Sequence, residues 1–360
     1  MKVAVVCGTR PEIIKMAPVI RELETRNISF FLLHTGQHYS YDMDRIFFDR
    51  LRLPRPKYNL QAGSGSHGEQ TGRVLVGVEA ALRAEKPDVT LVEGDTNSVL
   101  ATALAAVKLH LKVGHVEAGL RSYDRRMPEE VNRVLTDHCS DYLFAPTVKA
   151  ETTLLREGIA SDRVFVTGNT IVDAVLHCSE LGGNGSDALA RLKLEPGAYC
   201  LATVHRQENV DDPLRYSSIL EGLSKVVSQL GVPVVYPVHP HSRKRLAEFH
   251  LAPEGLTLIG PVDFHDFTQL ERNARLVLTD SGGVQEEACI LGIPCVTLRD
   301  NTERPETVEV GANLLAGTSA FRIVGCARAM LDASNGWENP FGDGKAAERI
   351  VGIIMEGRHG

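Results

Sequence analysis

The chain has 360 residues, beyond the size at which a single hydrophobic core keeps growing, so two domains are the default expectation. Hydrophobic content of 43% and charged content of 24% are ordinary for a globular protein, and no apolar run reaches the roughly 18 residues that a membrane span needs. A formal net charge of -7 without any block of Lys or Arg excludes nucleic acid as a bulk partner and leaves an anionic ligand to a local cluster.

The 7 cysteines, Cys7, Cys139, Cys178, Cys200, Cys289, Cys295 and Cys326, form no C-x-x-C pair, and several sit inside apolar runs. That usage suits reduced, buried thiols in a cytosolic protein better than disulfides or a zinc site. The opening MKVAVVCGTRP breaks at Gly8 and is too short an apolar run for a signal peptide. The expected setting is soluble and cytoplasmic.

Val3 to Cys7 reads as a strand, Gly8-Thr9-Arg10 as a turn, and the apolar residues Ile13, Met16, Ala17, Ile20 and Leu23 as one face of a helix with Pro11 in its first turn. This pattern opens a nucleotide-type α/β domain. Arg10 and Lys15 stand where they reach a ligand at the strand's end, although either alone also reads as a solvated surface charge. Phe30 to Leu33 is a second strand, and Gln61 to Gly68, rich in Gly and Ser, reads as a mobile loop or lid. Val89 to Val92 leads into Glu93-Gly94-Asp95-Thr96 and an alanine-rich helix, and Val113 to Val116 leads into Glu117. Met127-Pro128-Glu129-Glu130 opens another helix, and strands at Tyr142 to Ala145 and Val164 to Val166 complete the first half.

Leu181 to Ser186 has the composition of a linker, which places a hinge there. The expected domains are residues 1–180, with the acids, and residues 187–360, with the last helix able to pack back on the first domain. Beyond the hinge the rhythm restarts, with strands at Tyr199 to Val204, Val232 to Val238, Leu256 to Ile259, Leu276 to Thr279 and Pro294 to Leu298. The fourth of these runs directly into Asp280-Ser281-Gly282-Gly283 and a helix. Two residues without Cβ at that corner let a ligand approach the backbone, and the free N–H groups of the first turn favour a phosphate. A plain tight turn capped by Ser281 is the alternative.

In open parallel sheets, ligands bind outside the C-terminal ends of the strands. Those ends collect Arg10, Asp95, Glu117, His205, Ser281 and Arg304, with Glu129 opening the following helix. The cations and the Ser281–Gly283 amides suit a departing diphosphate. The three acids suit proton transfer, because grouped, partly dehydrated carboxyls push at least one pKa upward. Taken singly, Asp95 and Glu117 also read as helix caps or structural ion pairs. Metal-ligand spacings are absent, so no metal is implied.

GTRPEIIK at Gly8 to Lys15, EGDT at Glu93, HVEAGLRS at His115, MPEEVNR at Met127, the His205-Arg206 pair, TDSGGVQEEA at Thr279 and RDNTERPE at Arg299 together resemble the non-hydrolysing UDP-N-acetylglucosamine 2-epimerases. The resemblance runs nearly end to end. It implies two Rossmann-like, doubly wound domains facing a central cleft, as in glycosyltransferase-B folds, a homodimer without cofactor, and conversion of UDP-GlcNAc to UDP-ManNAc. Asp95, Glu117 and Glu129 would be the acids and His205 would stand at the diphosphate. Arg10, Lys15, Ser281, Gly282, Gly283, Glu287 and Arg304 would hold the nucleotide, Glu287 on the ribose, with Phe267 and the loop near Val262 beside the uracil. Gln37, His38, Arg206 and His239 resemble part of a second, activating UDP-GlcNAc site of bacterial members, whereas the Gly63–Gly68 loop and the short Arg121–Pro128 segment depart from the bacterial pattern. A UDP-sugar glycosyltransferase, a non-catalytic nucleotide-sugar sensor and a hydrolysing epimerase remain as alternatives.

Overall fold

The computed structural model describes residues 1–36, 48–49, 51–181, 187–333 and 336–357. Gln37, His38 and the hinge glycines at Gly182, Gly183 and Gly185 lie outside the described residues. The chain divides into two compact units, residues 1–174 with 341–360, and residues 175–340.

Among the described residues of the first unit, seven parallel strands, β1 (Lys2–Cys7), β2 (Ser29–His34), β3 (Tyr58–Asn59), β4 (Val89–Glu93), β5 (Lys112–Val116), β6 (Tyr142–Ala145) and β7 (Val164–Val166), pair in the order 3-2-1-4-5-6-7. Strand β1 is buried on both faces: Val3 and Val5 belong to one core cluster, with Ile13, Met16 and Ile20 of the helix Arg10–Thr25. Ala4 and Val6 belong to another, with Val74, Val78 and Leu82 of the helix His67–Glu85. An unbroken apolar run, rather than an alternating one, is what such a covered strand requires.

The helix Ala346–Glu356 packs on the helix Arg10–Thr25 and buries Ile350, Val351 and Ile354 in the same cluster. Its first N–H groups, from Ala346 and Ala347, are capped by the Asp173 carboxylate at 3.2 and 2.9 Å. Residues 341–360 therefore group with the first unit; the sequence assigns 187–360 to the second domain while allowing the last helix to pack back on the first. The reason is an amphipathic helix whose apolar face finds its complement on the earlier core.

Among the described residues, six parallel strands form the second unit's sheet: β8 (Cys200–Thr203), β9 (Val234–Pro237), β10 (Leu256–Ile259), β11 (Leu276–Thr279), β12 (Cys295–Thr297) and β13 (Asn313–Leu315), in the order 10-9-8-11-12-13. Cys200, Ala202, Leu276 and Leu278 face one core cluster, and Leu201 and Val277 face the other. Both sheets reverse their order of addition once, between β1 and β4 and between β8 and β11. That is the switch point of a doubly wound fold, where a crevice opens at the strands' C-terminal ends.

Two short edge strands, β3 and β13, are absent from the sequence reading, because two or three residues carry no periodicity. The Gly/Ser segment expected as a mobile loop or lid is held by hydrogen bonds at both its ends. Ala62 N–H and Gly63 N–H donate to the carbonyls of Thr35 and Gly36, both at 2.8 Å, and Ser66 caps the helix His67–Glu85 in a reciprocal capping box with Glu69. No helix among the described residues is long and apolar enough to cross a membrane.

Candidate active site

The first unit's switch point places the turn after β1, with Gly8 and Arg10, beside the turn after β4, with Gly94 and Asp95. A Cβ on Gly8 would come within 2.7 Å of Thr35 Oγ1 and also strike Ser98, so this glycine is required by the chain's own packing. Asp95 pairs through its carboxylate with the Arg133 guanidinium, and its carbonyl accepts from Asn132 Nδ2 at 2.9 Å. Both partners come from the helix Pro128–Cys139, which thereby locks Asp95.

Of the paired glutamates on that helix, Glu130 is buried and structural. It accepts from Ser122 N–H at 2.8 Å, Ser122 Oγ at 2.9 Å, Tyr123 N–H at 2.9 Å and Arg133 Nη1 at 2.9 Å. Glu129 is half-buried and, among the described residues, makes no hydrogen bond or ion pair of its own. Adjacent acids one position apart point in different directions on a helix, so one pins the loop while the other stays available.

Glu117 follows β5 with φ +69°, in the left-handed region that a side chain disfavours, at a cost of about 1–3 kcal/mol. Its carboxylate accepts from Lys15 Nζ at 2.6 Å and from Asn169 Nδ2 at 3.3 Å. The same Lys15 Nζ lies 3.2 Å from Glu93 Oε1. Lys15 therefore stands among the acids at the end of the sheet. Burial, before any charged neighbour, pushes the Glu93 carboxyl well above its ordinary range, with Glu117 and Glu12 adding to the effect. Glu12, also buried, caps the turn through Gly8 N–H at 2.5 Å and Thr9 Oγ1 at 3.0 Å, and burial raises its pKa to about 7. Behind these acids, His115 bridges Asp137 Oδ1 (2.6 Å) and the Gly94 carbonyl (2.8 Å), which braces the turn that carries Asp95.

In the second unit the switch point places His205, after β8, beside Asp280, after β11. Asp280 is fully buried and accepts from the backbone N–H groups of His205 (3.1 Å) and Arg206 (3.0 Å) and from Asn209 Nδ2 (3.0 Å), with His205 Nδ1 at 3.2 Å. Burial is the largest influence on this carboxyl and opposes its charge, but His205, Asn209 and the Arg206 amide together hold it below its ordinary range. An Nδ1 facing a carboxylate is the protonated one, so the ring's half-exposed Nε2 edge is fixed in orientation.

Ser281 caps the helix Gly282–Ile290 by accepting from Val284 N–H at 3.5 Å. Beyond the helix's own backbone, a Cβ on Gly282 would meet only Glu303 Oε2, at 3.5 Å, and one on Gly283 only Glu287 Oε1 and Ser281 Oγ, at 3.9 Å. Unlike Gly8, these glycines have no internal packing reason. An unexplained pair of glycines in a helix's first turn, next to the N–H donors of that turn, is a cradle for an anion. Arg304 is buried behind it, its Nε 2.8 Å from Glu286 Oε1. Glu287 is half-buried and acts on the buried Glu271, whose carboxyl is pushed well upward first by burial and then by Glu287. Val262 and Phe267 pack against the cluster that holds Tyr199, Leu270 and Val277.

Arg206 opens the short helix Gln207–Val210. His239 caps the helix Pro240–Glu248, its Nδ1 accepting from His241 N–H at 3.3 Å. Four residues were not singled out from sequence: Glu12, Glu93, Glu130 and Asp280. The available signal was a charged residue at the end of an otherwise apolar strand, for Glu93 and Asp280, which marks a buried acid with a partner.

The family model for UDP-N-acetylglucosamine 2-epimerase matches residues 21–355. A UDP-N-acetylglucosamine 2-epimerase of Methanocaldococcus jannaschii is 53% identical, with 100% of each chain covered. The chain belongs to the UDP-N-acetylglucosamine 2-epimerase family. A crystal structure of the Methanocaldococcus jannaschii enzyme in complex with UDP-GlcNAc and UDP superposes with a TM-score of 0.92 at 53% identity, covering 99% of this chain and 100% of that one. A UDP-GlcNAc-bound family member from Neisseria meningitidis gives a TM-score of 0.91 at 35% identity, over 99% and 100%. The family is not uniform in substrate. A UDP-2,3-diacetamido-2,3-dideoxy-D-glucuronate 2-epimerase of Pseudomonas aeruginosa is 42% identical, over 99% of this chain and 100% of the relative.

Proposed function

We propose that this enzyme interconverts UDP-GlcNAc and UDP-ManNAc by inverting C2 of the sugar. The observation that carries the reading is the division of chemistry between two switch points. One gathers carboxyls in contrasting environments, and the other joins an oriented imidazole to a glycine-lined helix start.

A C2–H of a sugar is too weak an acid for direct removal by a carboxylate. Breaking the C1–O bond to UDP first puts positive charge at C1, which acidifies the neighbouring C2–H. His205, Arg10 and the Ser281–Gly283 amides stabilise the growing diphosphate charge. One acid among Asp95, Glu117 and Glu129 then takes the C2 proton, leaving a 2-acetamidoglucal. Protonation from the other face and return of UDP to C1 give the epimer. The two faces need two proton-handling groups, and the trio supplies them. Glu287 holds the ribose and Phe267 flanks the uracil, and the enzyme works as a homodimer in the cytoplasm.

Proton NMR of UDP-GlcNAc with the purified enzyme in D2O, without acceptor, tests this. UDP-ManNAc must appear with deuterium at C2 in both sugars. An unlabelled product removes the proton-exchange step. Donor consumed only when an acceptor sugar is added marks a glycosyltransferase, and free ManNAc with UDP marks a hydrolysing enzyme.

A further inference from the structure

Two buried carboxyls, Glu93 and Glu117, face one ammonium, Lys15, with the buried Glu12 acting on Glu93; Glu12, Glu93, Glu117 and Lys15 are 2%, 2%, 9% and 9% exposed. One cation neutralises one carboxylate. Keeping the other two ionised out of water is costly, so the cluster retains protons. Lys15 Nζ lies 2.6 Å from Glu117 and 3.2 Å from Glu93, so the negative charge rests on Glu117. Glu117 also receives the Asn169 amide. Glu93 Oε1 and Glu117 Oε2 both face that one Nζ, and two ionised carboxylates sharing a single buried ammonium repel each other, so one of the pair keeps its proton.

We propose that Glu93 is a positioning residue: it stays protonated at neutral pH and donates a hydrogen bond to Glu117, holding that carboxylate charged and in one orientation. Glu117 sits on a strained backbone at φ +69°, and the Lys15, Glu93 and Asn169 donors hold its side chain from three elements. Glu93 is anchored at the end of β4, paired on one side with β5, so it is a rigid donor. Its proton does not leave during turnover. The inference rests on the reading of Glu117 as one of the acids that act on the sugar.

The charged and titratable groups facing Glu93 are Lys15 and Glu12 from the helix Arg10–Thr25, Cys7 from β1 and Glu117 from the turn after β5. Lys15 alone favours ionisation of Glu93, while burial, Glu117 and Glu12 oppose it. When alkaline pH does remove the proton, a second charge appears beside Glu117, and turnover falls.

The test compares Glu93→Leu, Glu93→Gln and Glu117→Gln in the full-length enzyme. It follows C2 deuterium uptake, kcat and KM for UDP-GlcNAc between about pH 6 and 10, with UDP affinity as a control. Glu93→Leu removes the donor and lowers kcat roughly 100-fold, with UDP affinity within about threefold of the parent. Glu93→Gln keeps a neutral donor, restores kcat to within about tenfold of the parent, and moves the alkaline fall in kcat upward or abolishes it. Parent-like kcat in Glu93→Leu, together with loss of exchange in Glu117→Gln, overturns this inference alone. Full exchange in Glu117→Gln overturns the inference and the reading of Glu117 together. Should the Leu variant fail to fold, the Gln variant decides: kcat as low as that of Glu117→Gln, or an unmoved alkaline limb, overturns the proposal.

Discussion

Gly283→Ala should stabilise the free protein and cripple its hold on UDP. Gly283 lies in the first turn of the helix Gly282–Ile290, and beyond its own stretch of helix backbone a methyl there would meet only Glu287 Oε1 and Ser281 Oγ, both at 3.9 Å. Replacing a helical glycine by alanine without a clash gains about 0.5–1 kcal/mol, from helix propensity and a less flexible unfolded chain. For a unit of this size that raises the melting temperature by roughly 1–4 °C. A diphosphate oxygen drawn up to the Ser281–Gly283 amides occupies the same space. Displacing it loses a hydrogen bond to a charged group, about 1.5–3 kcal/mol, or roughly 10- to 150-fold in affinity. Thermal unfolding without ligand and calorimetric titration with UDP measure the two effects separately. A higher melting point with unchanged UDP affinity would remove the anion from this turn. A lower melting point would show that the clearance argument is wrong. Gly8→Ala is the internal contrast: its Cβ meets Thr35 and Ser98, so it should destabilise the protein with no ligand present.

Asp280→Ala should cost about 3–5 kcal/mol, because the N–H groups of His205 and Arg206 and the Asn209 amide lose a buried charged acceptor. Asp280's folded pKa lies below its unfolded 3.8, so its stabilisation is complete above that value and disappears as pH falls through the folded one. Denaturant titrations in acid should accordingly show a smaller loss of stability below about pH 4 in the variant than in the parent. Glu12 gives the opposite sign. Burial raises its folded pKa from 4.5 to about 7, so the folded state resists its ionisation and stability declines as pH climbs between those values, by about 3 kcal/mol in all. Glu12→Gln should flatten that part of the stability–pH curve, and an unchanged slope would show that Glu12 is not its source. Glu130→Ala releases Ser122, Tyr123 and Arg133 beside Glu129 and Asp95. The expected result is kcat lower by roughly 100-fold with UDP affinity nearly unchanged, since misplacing a reacting group by about 1 Å is that costly.

The amino-acid sequence by itself determined the strand–turn–helix rhythm, eleven of the strands' cores and the strand ends at which chemistry gathers. Apolar runs with no polar break require burial on both faces, and such strands accept only a parallel sheet covered by helices. Arg10, Asp95, Glu117, His205 and Ser281 were legible for the same reason, as polar residues placed where an apolar run stops. Tertiary structure alone decided what holds them. Asp280 orders His205 across 75 residues of chain, Lys15 meets Glu117 across 102, and Arg133 reaches Asp95 across 38. Partnerships at such separations leave no local period or spacing to read. It also decided which of Glu129 and Glu130 is structural, and it settled on the first core the last helix whose packing the sequence left open, because both depend on which buried face lies opposite. Where acids share so little water, their protonation follows from the neighbours that folding supplies, and no composition or motif carries that information.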